Sequence, residues 1–197
     1  MLDIEIFSVD KPIYQNGKKI GEIPHLVLGQ YAPLESSDKQ AINLAYTELS
    51  ASHHTNFEKA IHKLGQLFFA STLIYQIQHT LHPLARQQMF NLLKQVHPET
   101  IQSREILLQQ QQALLTSLHQ KFQPIQMIAM MKNLTEKESQ KRQNHETTPI
   151  QDEIFARGIS KCTQSIRDLP TNDKTPLIQK LCKRSTHRGQ PCTYSRS

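Results

Sequence analysis

The first thirty residues alternate apolar and polar positions as β-strands do, beginning with the run 2–7. Asn16-Gly17 follows, and Asn-Gly is the strongest short hairpin signal because both central residues of a type I′ turn need positive φ. We expect a β-hairpin or extended segment over residues 1–34. It should pack on the rest of the chain, because an isolated hairpin is marginally stable in water. The apolar run 25–28 fits either a third strand or an extended segment lying on helices.

From residue 37 onward apolar residues recur every three or four positions, which is the period of an amphipathic helix. The stretch 67–77 is apolar on nearly every side, so its helix should occupy the middle of the fold. We therefore expect a mainly α protein, an antiparallel bundle of about five to seven helices with a short N-terminal β-hairpin. Helix starts are predicted by capping boxes and by prolines suited to a first turn, at Ser37-x-x-Gln40, Thr55-x-x-Glu58, Pro83, Pro98, Pro124 and Thr148-Pro149 with Gln151.

The pattern divides the chain into three parts. The hairpin segment is followed by a helical domain over 35–170, in which residues 135–148 lose their apolar periodicity and form either a polar linker or an exposed helix. Residues 171–197 are expected to hold a short helix and a basic C-terminal tail.

Composition narrows the setting. The chain of 197 residues has no Trp and 37% hydrophobic residues, which favours a core of Leu, Ile, Met and Phe. No apolar run is long enough to span a membrane, and the first residues lack the basic and apolar regions of a signal peptide. Three cysteines do not form the disulfide framework of a small secreted protein. We therefore expect a cytoplasmic protein.

Positive charge concentrates in the last third of the chain. Residues 126–197 carry 13 basic and 7 acidic groups, and the region from residue 180 to the end has no acid. Such a tail can meet phosphate, anionic lipid or an acidic protein face, although a solvated terminus accounts for it equally simply. Its basic residues are Lys180, Lys183, Arg184, Arg188 and Arg196.

The same tail contains a spacing that can bind metal. Cys182-x4-His187-x4-Cys192 resembles the second half of a retroviral-type zinc knuckle. Gln179 stands where that family has its first cysteine, so the fourth zinc ligand would have to be Cys162 from the preceding helix. Alternatively, the three cysteines are unconnected, and Cys162 belongs to an apolar helix stripe. Zinc is the cofactor that this pattern would admit, and no other is expected.

Motifs of catalysis are missing. The sequence has no phosphate-binding loop, dinucleotide fingerprint, His-Glu-x-x-His or EF-hand pattern, and only six glycines. The spacing of its ten histidines mostly does not indicate a metal or acid–base site, and His79 and His82, three residues apart, have no carboxylate beside them. A small enzyme without a recognisable motif is therefore the third reading, behind two binding functions.

The leading hypothesis is a non-catalytic helical protein-interaction module. The Gln-, His- and Lys-rich composition with a basic C-terminus looks like that of proteins from intracellular gammaproteobacteria with type IV secretion. Missing catalytic motifs together with many capping signals and amphipathic stripes favour an adaptor or a chaperone-like subunit, and the compositional resemblance adds a bacterial effector translocated into a host cell and acting by binding. The alternative is a nucleic-acid-binding protein that uses the basic last third, since the sequence pI is about 9.3. The predicted partner-binding residues lie on the helix over 101–122 and are Leu108, Leu115 and Leu118.

Overall fold

The computed structural model describes residues 4–30, 36–99 and 103–179, and it confirms a mainly α-helical bundle with an N-terminal β-hairpin. The hairpin consists of antiparallel β1 (Ile4–Gln15) and β2 (Lys18–Gln30). The helices in the described ranges are α1 (Ser36–Thr47), α2 (Ala51–His79), α3 (Pro83–Val96), α4 (Arg104–Lys121), α5 (Pro124–Gln143) and α6 (Pro149–Arg167). A 3-10 turn at Thr171–Asp173 and a helical turn at 176–179 follow. None of these helices combines the length and apolar content that crossing a membrane requires.

The hairpin turn lies where the sequence predicted it. Asn16 and Gly17 have φ values of 50° and 74°, as a type I′ turn needs. The run 25–28 belongs to the long strand β2 rather than to a third strand. A register irregularity at Ile13/Tyr14 precedes the turn. Through β2 the hairpin contacts α2, α3 and α6.

Local signals located most helix starts. Pro83 and Pro124 each lie in the first turn of a helix, and Thr148 caps α6 in a capping box with Gln151. Two predicted starts are wrong. The helix α2 begins at Ala51 because Ser50 forms a capping box with His53, and the Thr55 hydroxyl instead donates to the Ala51 carbonyl.

The second wrong start is Pro98, which precedes the helix without entering it. The helix α4 begins at Arg104, and Ser103 caps it by accepting a hydrogen bond from the Ile106 N–H at 3.3 Å. A serine hydroxyl satisfies one of the free N–H groups of the first turn, which proline at the first position cannot do. For the polar stretch 135–148, the sequence allowed either a linker or an exposed helix. The structure has a helix there, since α5 continues to Gln143, but this helix is not fully exposed because Thr135 and Glu138 are buried.

The helix α2 lies at the centre of the fold and contacts α3, α4 and α6. Its approach to α6 depends on two glycines. A Cβ on Gly65 would lie 1.8 Å from the Ile154 carbonyl oxygen, and one on Gly158 would lie 2.1 Å from the Ile61 carbonyl oxygen. Each glycine therefore lets the backbone of the other helix approach more closely than a residue with a Cβ atom would allow.

Buried apolar residues form two clusters that meet along α2. The first cluster joins the N-terminal half of α2 to α1, α5, the end of α4 and most of α6, with Phe57, Met127 and Phe155 fully buried. Ile178 from the turn after α6 also packs into it. The second cluster joins the C-terminal half of α2 to α3 and the hairpin, through residues such as Leu73 and Met89.

A seam of buried polar side chains runs along the middle of α2. The Arg157 guanidinium donates to the Glu153 carboxylate at 3.1 Å and stacks over the Phe69 ring at 4.4 Å. Burial lowers the pKa of Arg157, and the neighbouring Glu153 carboxylate opposes that effect. From α4, the Gln111 amide donates to the Leu67 carbonyl and to Ser71 Oγ, both at 3.2 Å. Arg157 Nη1 of α6 also donates to Thr72 Oγ1 of α2 at 3.4 Å, so hydrogen bonds hold both α4 and α6 to α2 between the two clusters.

Candidate protein-binding surface

A groove of about 690 Å³ lies where the hairpin turn faces the connection between α2 and α3. Leu81 lies at the edge of this groove, and 93% of its surface is exposed. We call this region the corner surface. Its lining residues are Gln15, Asn16, Lys18, Lys19, Ile20, Gly21, His79, Thr80, Leu81 and His82.

The short connection explains why Leu81 cannot turn inward. The helix α2 ends at His79, and α3 begins at Pro83, so three residues make the whole turn. Thr80 is held by its hydroxyl, which donates to the Gln76 carbonyl at 2.6 Å. On the other side, Pro83 sets the direction of α3 because its ring restricts φ. Leu81, between these two restrained residues, therefore projects into solvent.

The facing wall of the groove is anchored to the bundle. A Cβ on Gly21 of β2 would lie 3.1 Å from Ala85 Cβ, so the strand passes close to the first turn of α3. Ile13 of β1 is buried in the second cluster, and Ile20 packs against it. Because the hairpin is bound in this way, the groove exists before any partner arrives, and less order is lost on binding.

The corner surface carries positive charge, and large apolar side chains are exposed on the hairpin and on α3, which border it. Among its ten lining residues are two lysines and two histidines but no acid. Nδ1 of His82 is buried and makes no hydrogen bond to any described residue. Further large apolar side chains are exposed on the hairpin and α3, namely Tyr14, Leu84 and Phe90. This combination of exposed apolar anchors with one sign of charge is typical of contact surfaces.

A second groove, of about 480 Å³, lies between α4 and α6, and most of the residues that line it have polar side chains. Lys161 lies in it with Nζ 4.6 Å from the Phe68 ring centre. Burial lowers the Lys161 pKa; the Asp168 carboxylate opposes that effect, and the Arg104 guanidinium adds to it. Burial also lowers the pKa of His119, which favours the neutral imidazole.

The serine and histidine of this second groove are oriented against catalysis. Ser165 Oγ donates its single proton to the Cys162 carbonyl at 2.8 Å. The contact of 3.0 Å between His119 Nε2 and Ser165 Oγ must then have the imidazole as donor. A serine nucleophile needs the opposite arrangement, in which the histidine accepts the hydroxyl proton. The pair therefore ties α4 to α6.

The three leucines predicted to bind a partner are separated by the structure. Leu108 is exposed at 38%, whereas Leu115 and Leu118 are 8% and 4% exposed and pack in the first cluster. The expectation that Leu115 and Leu118 face a partner is corrected for this reason: α4 directs both against α2 and α6. The run of glutamines on this helix is likewise split, since Gln111 is buried and hydrogen-bonded.

Of the four predicted zinc ligands, the structure describes one. Cys162 is fully buried in the first cluster, and that burial raises the pKa of its thiol to about 12. A zinc ligand must be a thiolate and must reach the ion, so this position favours a small apolar core residue instead. Cys182, His187 and Cys192 lie outside the described residues, as do all five tail cations, Lys180, Lys183, Arg184, Arg188 and Arg196.

The sequence analysis did not predict Leu81 as a binding residue, because it considered apolar residues that recur with helical period and Leu81 lies in the connection between α2 and α3. The one sequence signal for this residue is an apolar side chain next to a proline that starts a helix. Comparison of this chain with protein-family models, curated proteins and solved structures gave no match.

Proposed function

We propose that this protein is a non-catalytic helical protein-interaction module and that it binds its partner through the corner surface. The observation that carries the proposal is the exposure of Leu81 at the edge of a groove. Full burial of a leucine side chain contributes about 1.5 to 3 kcal/mol. Leu81 contributes almost nothing to the stability of the fold, because its side chain is in solvent. Burial of this side chain by a partner would therefore contribute to the free energy of binding.

Charge indicates the chemistry of the partner. Lys18 and Lys19 of the corner surface favour a protein segment that carries acidic side chains around an apolar pocket for Leu81. Tyr14 and Leu84, both exposed, extend the apolar contact beyond the groove. Aromatic and aliphatic anchors within a polar rim are the usual composition of an interface hot spot.

A binding role also agrees with the polar sites of the bundle. The serine and histidine between α4 and α6 are hydrogen-bonded in the orientation that joins helices. The adaptor, chaperone-like and effector readings all require a protein-contact surface of this kind. The nucleic-acid alternative depends on the basic tail and is one outcome of the experiment below.

Site-specific photocrosslinking can identify the partner. A photoreactive phenylalanine analogue replaces Leu81 in cells that produce the protein, and replaces Leu44 as the control. Leu44 is 62% exposed but lies on α1, away from the corner surface. We expect the probe at Leu81 to trap one acidic protein in defined stoichiometry and the probe at Leu44 to trap none.

Calorimetry with the purified partner then measures the contact. We expect Leu81→Asp to weaken binding at least tenfold and Leu44→Asp to leave it unchanged, while both variants keep the parent melting temperature. Equal affinity of Leu81→Asp and the parent would contradict the proposal. Crosslinking to nucleic acid through the Leu81 probe would replace it with the nucleic-acid reading, which steep weakening of binding with salt would support.

A further inference from the structure

A carboxylate–imidazole cluster lies at the other half of α2, away from the corner surface. Glu58 and His62 are four residues apart on α2, so their side chains share one helix face. The helix α5 passes beside this face and contributes Glu138. One ligand atom from each of the three side chains can be chosen so that all lie within 4.8 Å of one another, and His62 Nε2 lies 4.0 Å from Glu138 Oε1.

Glu138 is the unusual member, because its carboxylate is buried. Its side chain is only 4% exposed, whereas His62 and Glu58 are more open to solvent. Oε1 of Glu138 lies 3.4 Å from the Lys141 ammonium and 4.0 Å from His62 Nε2. Burying a carboxylate costs free energy unless a cation and hydrogen bonds compensate it. A bound cation would add to the compensation that the Lys141 ammonium supplies.

We propose that Glu58, His62 and Glu138 form a binding site for a divalent transition-metal cation. In a tetrahedral site, bonds of about 2.0 to 2.2 Å place the ligand atoms about 3.3 to 3.6 Å apart. The three donors therefore need to approach one another by about 1 to 1.5 Å, which side-chain torsions allow. One imidazole and two carboxylates suit Zn²⁺, Mn²⁺, Fe²⁺ or Co²⁺. A groove along α2, lined by Thr55, Lys59, His62 and Gln66 among others, gives the ion access.

Two lysines neutralise the carboxylates in the metal-free protein. Lys137 Nζ lies 3.2 Å from both carboxylate oxygens of Glu58, and Lys141 contacts Glu138. The side chains of both lysines are a third or more exposed, so their ammonium groups can move into solvent when a cation enters. The lysines and the metal therefore compete for the same oxygens. Removing a lysine should tighten metal binding, an effect that a merely structural ion-pair network would not show.

Calorimetric titration with Co²⁺, followed also by its visible absorption, tests the site. The parent for this experiment is the Cys182→Ser/Cys192→Ser protein, because thiolates in the tail would bind the same ion. We expect one equivalent of Co²⁺ to bind and to raise the melting temperature. His62→Gln and Glu138→Gln should each weaken binding at least tenfold, and Glu105→Gln, an exposed carboxylate on α4, should not.

The lysine variants decide between a metal site and a structural network. Lys137→Met is expected to tighten Co²⁺ binding about fivefold, because it removes a competing exposed ion pair. His62→Gln changes a partly exposed residue, so its fold should survive even if that of Glu138→Gln does not. Absence of Co²⁺ binding by the parent, unchanged affinity in His62→Gln, or unchanged affinity in Lys137→Met would each overturn the proposal.

Discussion

The two halves of α2 differ in the side chains that lie between their buried clusters and solvent. Around the first cluster, charged groups such as Glu58, Lys137 and Lys141 lie between the buried side chains and solvent. Around the second cluster, large apolar side chains reach the surface on the hairpin, the α2–α3 connection and α3. One helix thus has a core bordered by ion pairs at one end and a core bordered by exposed leucine and aromatic groups at the other.

This difference indicates where binding and stability reside. Exposed apolar groups next to a groove can be buried by a partner without any loss of intramolecular packing. Ion pairs at the rim of a packed core exclude water and limit association, but each contributes little to stability. We therefore expect substitutions in the first cluster to act on folding, and those at the corner surface to act on binding.

The largest effect is expected from Leu115→Asp. This leucine is 8% exposed within the first cluster, and an ionised carboxylate there would lose most of its hydration. We expect a loss of more than about 3 kcal/mol, enough to remove cooperative melting in a marginally stable domain. Circular dichroism during thermal unfolding measures it. Leu108→Asp, on the exposed side of the same helix, is the control and should change stability by less than about 1 kcal/mol. Cooperative melting of Leu115→Asp would place this leucine at the surface.

The second largest effect is expected from a substitution where α2 contacts α6. In Gly158→Ala the new methyl group would lie 2.1 Å from the Ile61 carbonyl oxygen, so the helices must separate. We expect destabilisation of about 3 kcal/mol, at the upper end of overpacking, measured by urea unfolding. Gly17→Ala is the matched control: it has open space but a φ of 74°, and should cost about 1 to 2 kcal/mol. A smaller loss in Gly158→Ala than in Gly17→Ala would show that the helices do not pack this closely.

The smallest effect is expected from a chemical reagent that leaves the core residues unchanged. It tests whether solvent reaches Cys162 in the first cluster. In the Cys182→Ser/Cys192→Ser protein, Cys162 is the one remaining thiol. Because its pKa is about 12 instead of 9.0, its thiolate fraction at neutral pH is about a thousandfold smaller. We expect a thiol-specific chromogenic reagent to react fully in urea and negligibly with the native protein. Rapid native reaction would show that the first cluster opens to solvent.

Much of the fold followed from local sequence. Asn16-Gly17 located the hairpin turn, and Pro83, Pro124 and Thr148 located helix starts, because these residues act within one turn of backbone. The errors at Thr55 and Pro98 have the same origin. In both cases a serine near the predicted start, Ser50 or Ser103, caps the helix, and the pattern search favoured the wrong one of two neighbouring signals.

The candidate sites were less accessible to sequence reasoning. Leu81 stands in a three-residue connection that no periodicity covers. The group of Glu58, His62 and Glu138 joins residues about eighty positions apart, so only the packing of α5 beside α2 brings them together. The leucines of α4 show the converse, since their helical spacing was correct but did not tell which side faces α2.

The sequence by itself determined the fold class, the hairpin turn and most helix boundaries, because hydrophobic period, capping and proline geometry are properties of neighbouring residues. Only the tertiary structure decided which leucines are core, which glycines admit a neighbouring helix, and which charged groups converge. Those outcomes depend on the rotation and approach of whole helices. That rotation and approach are settled by the joint packing of side chains far apart in the chain.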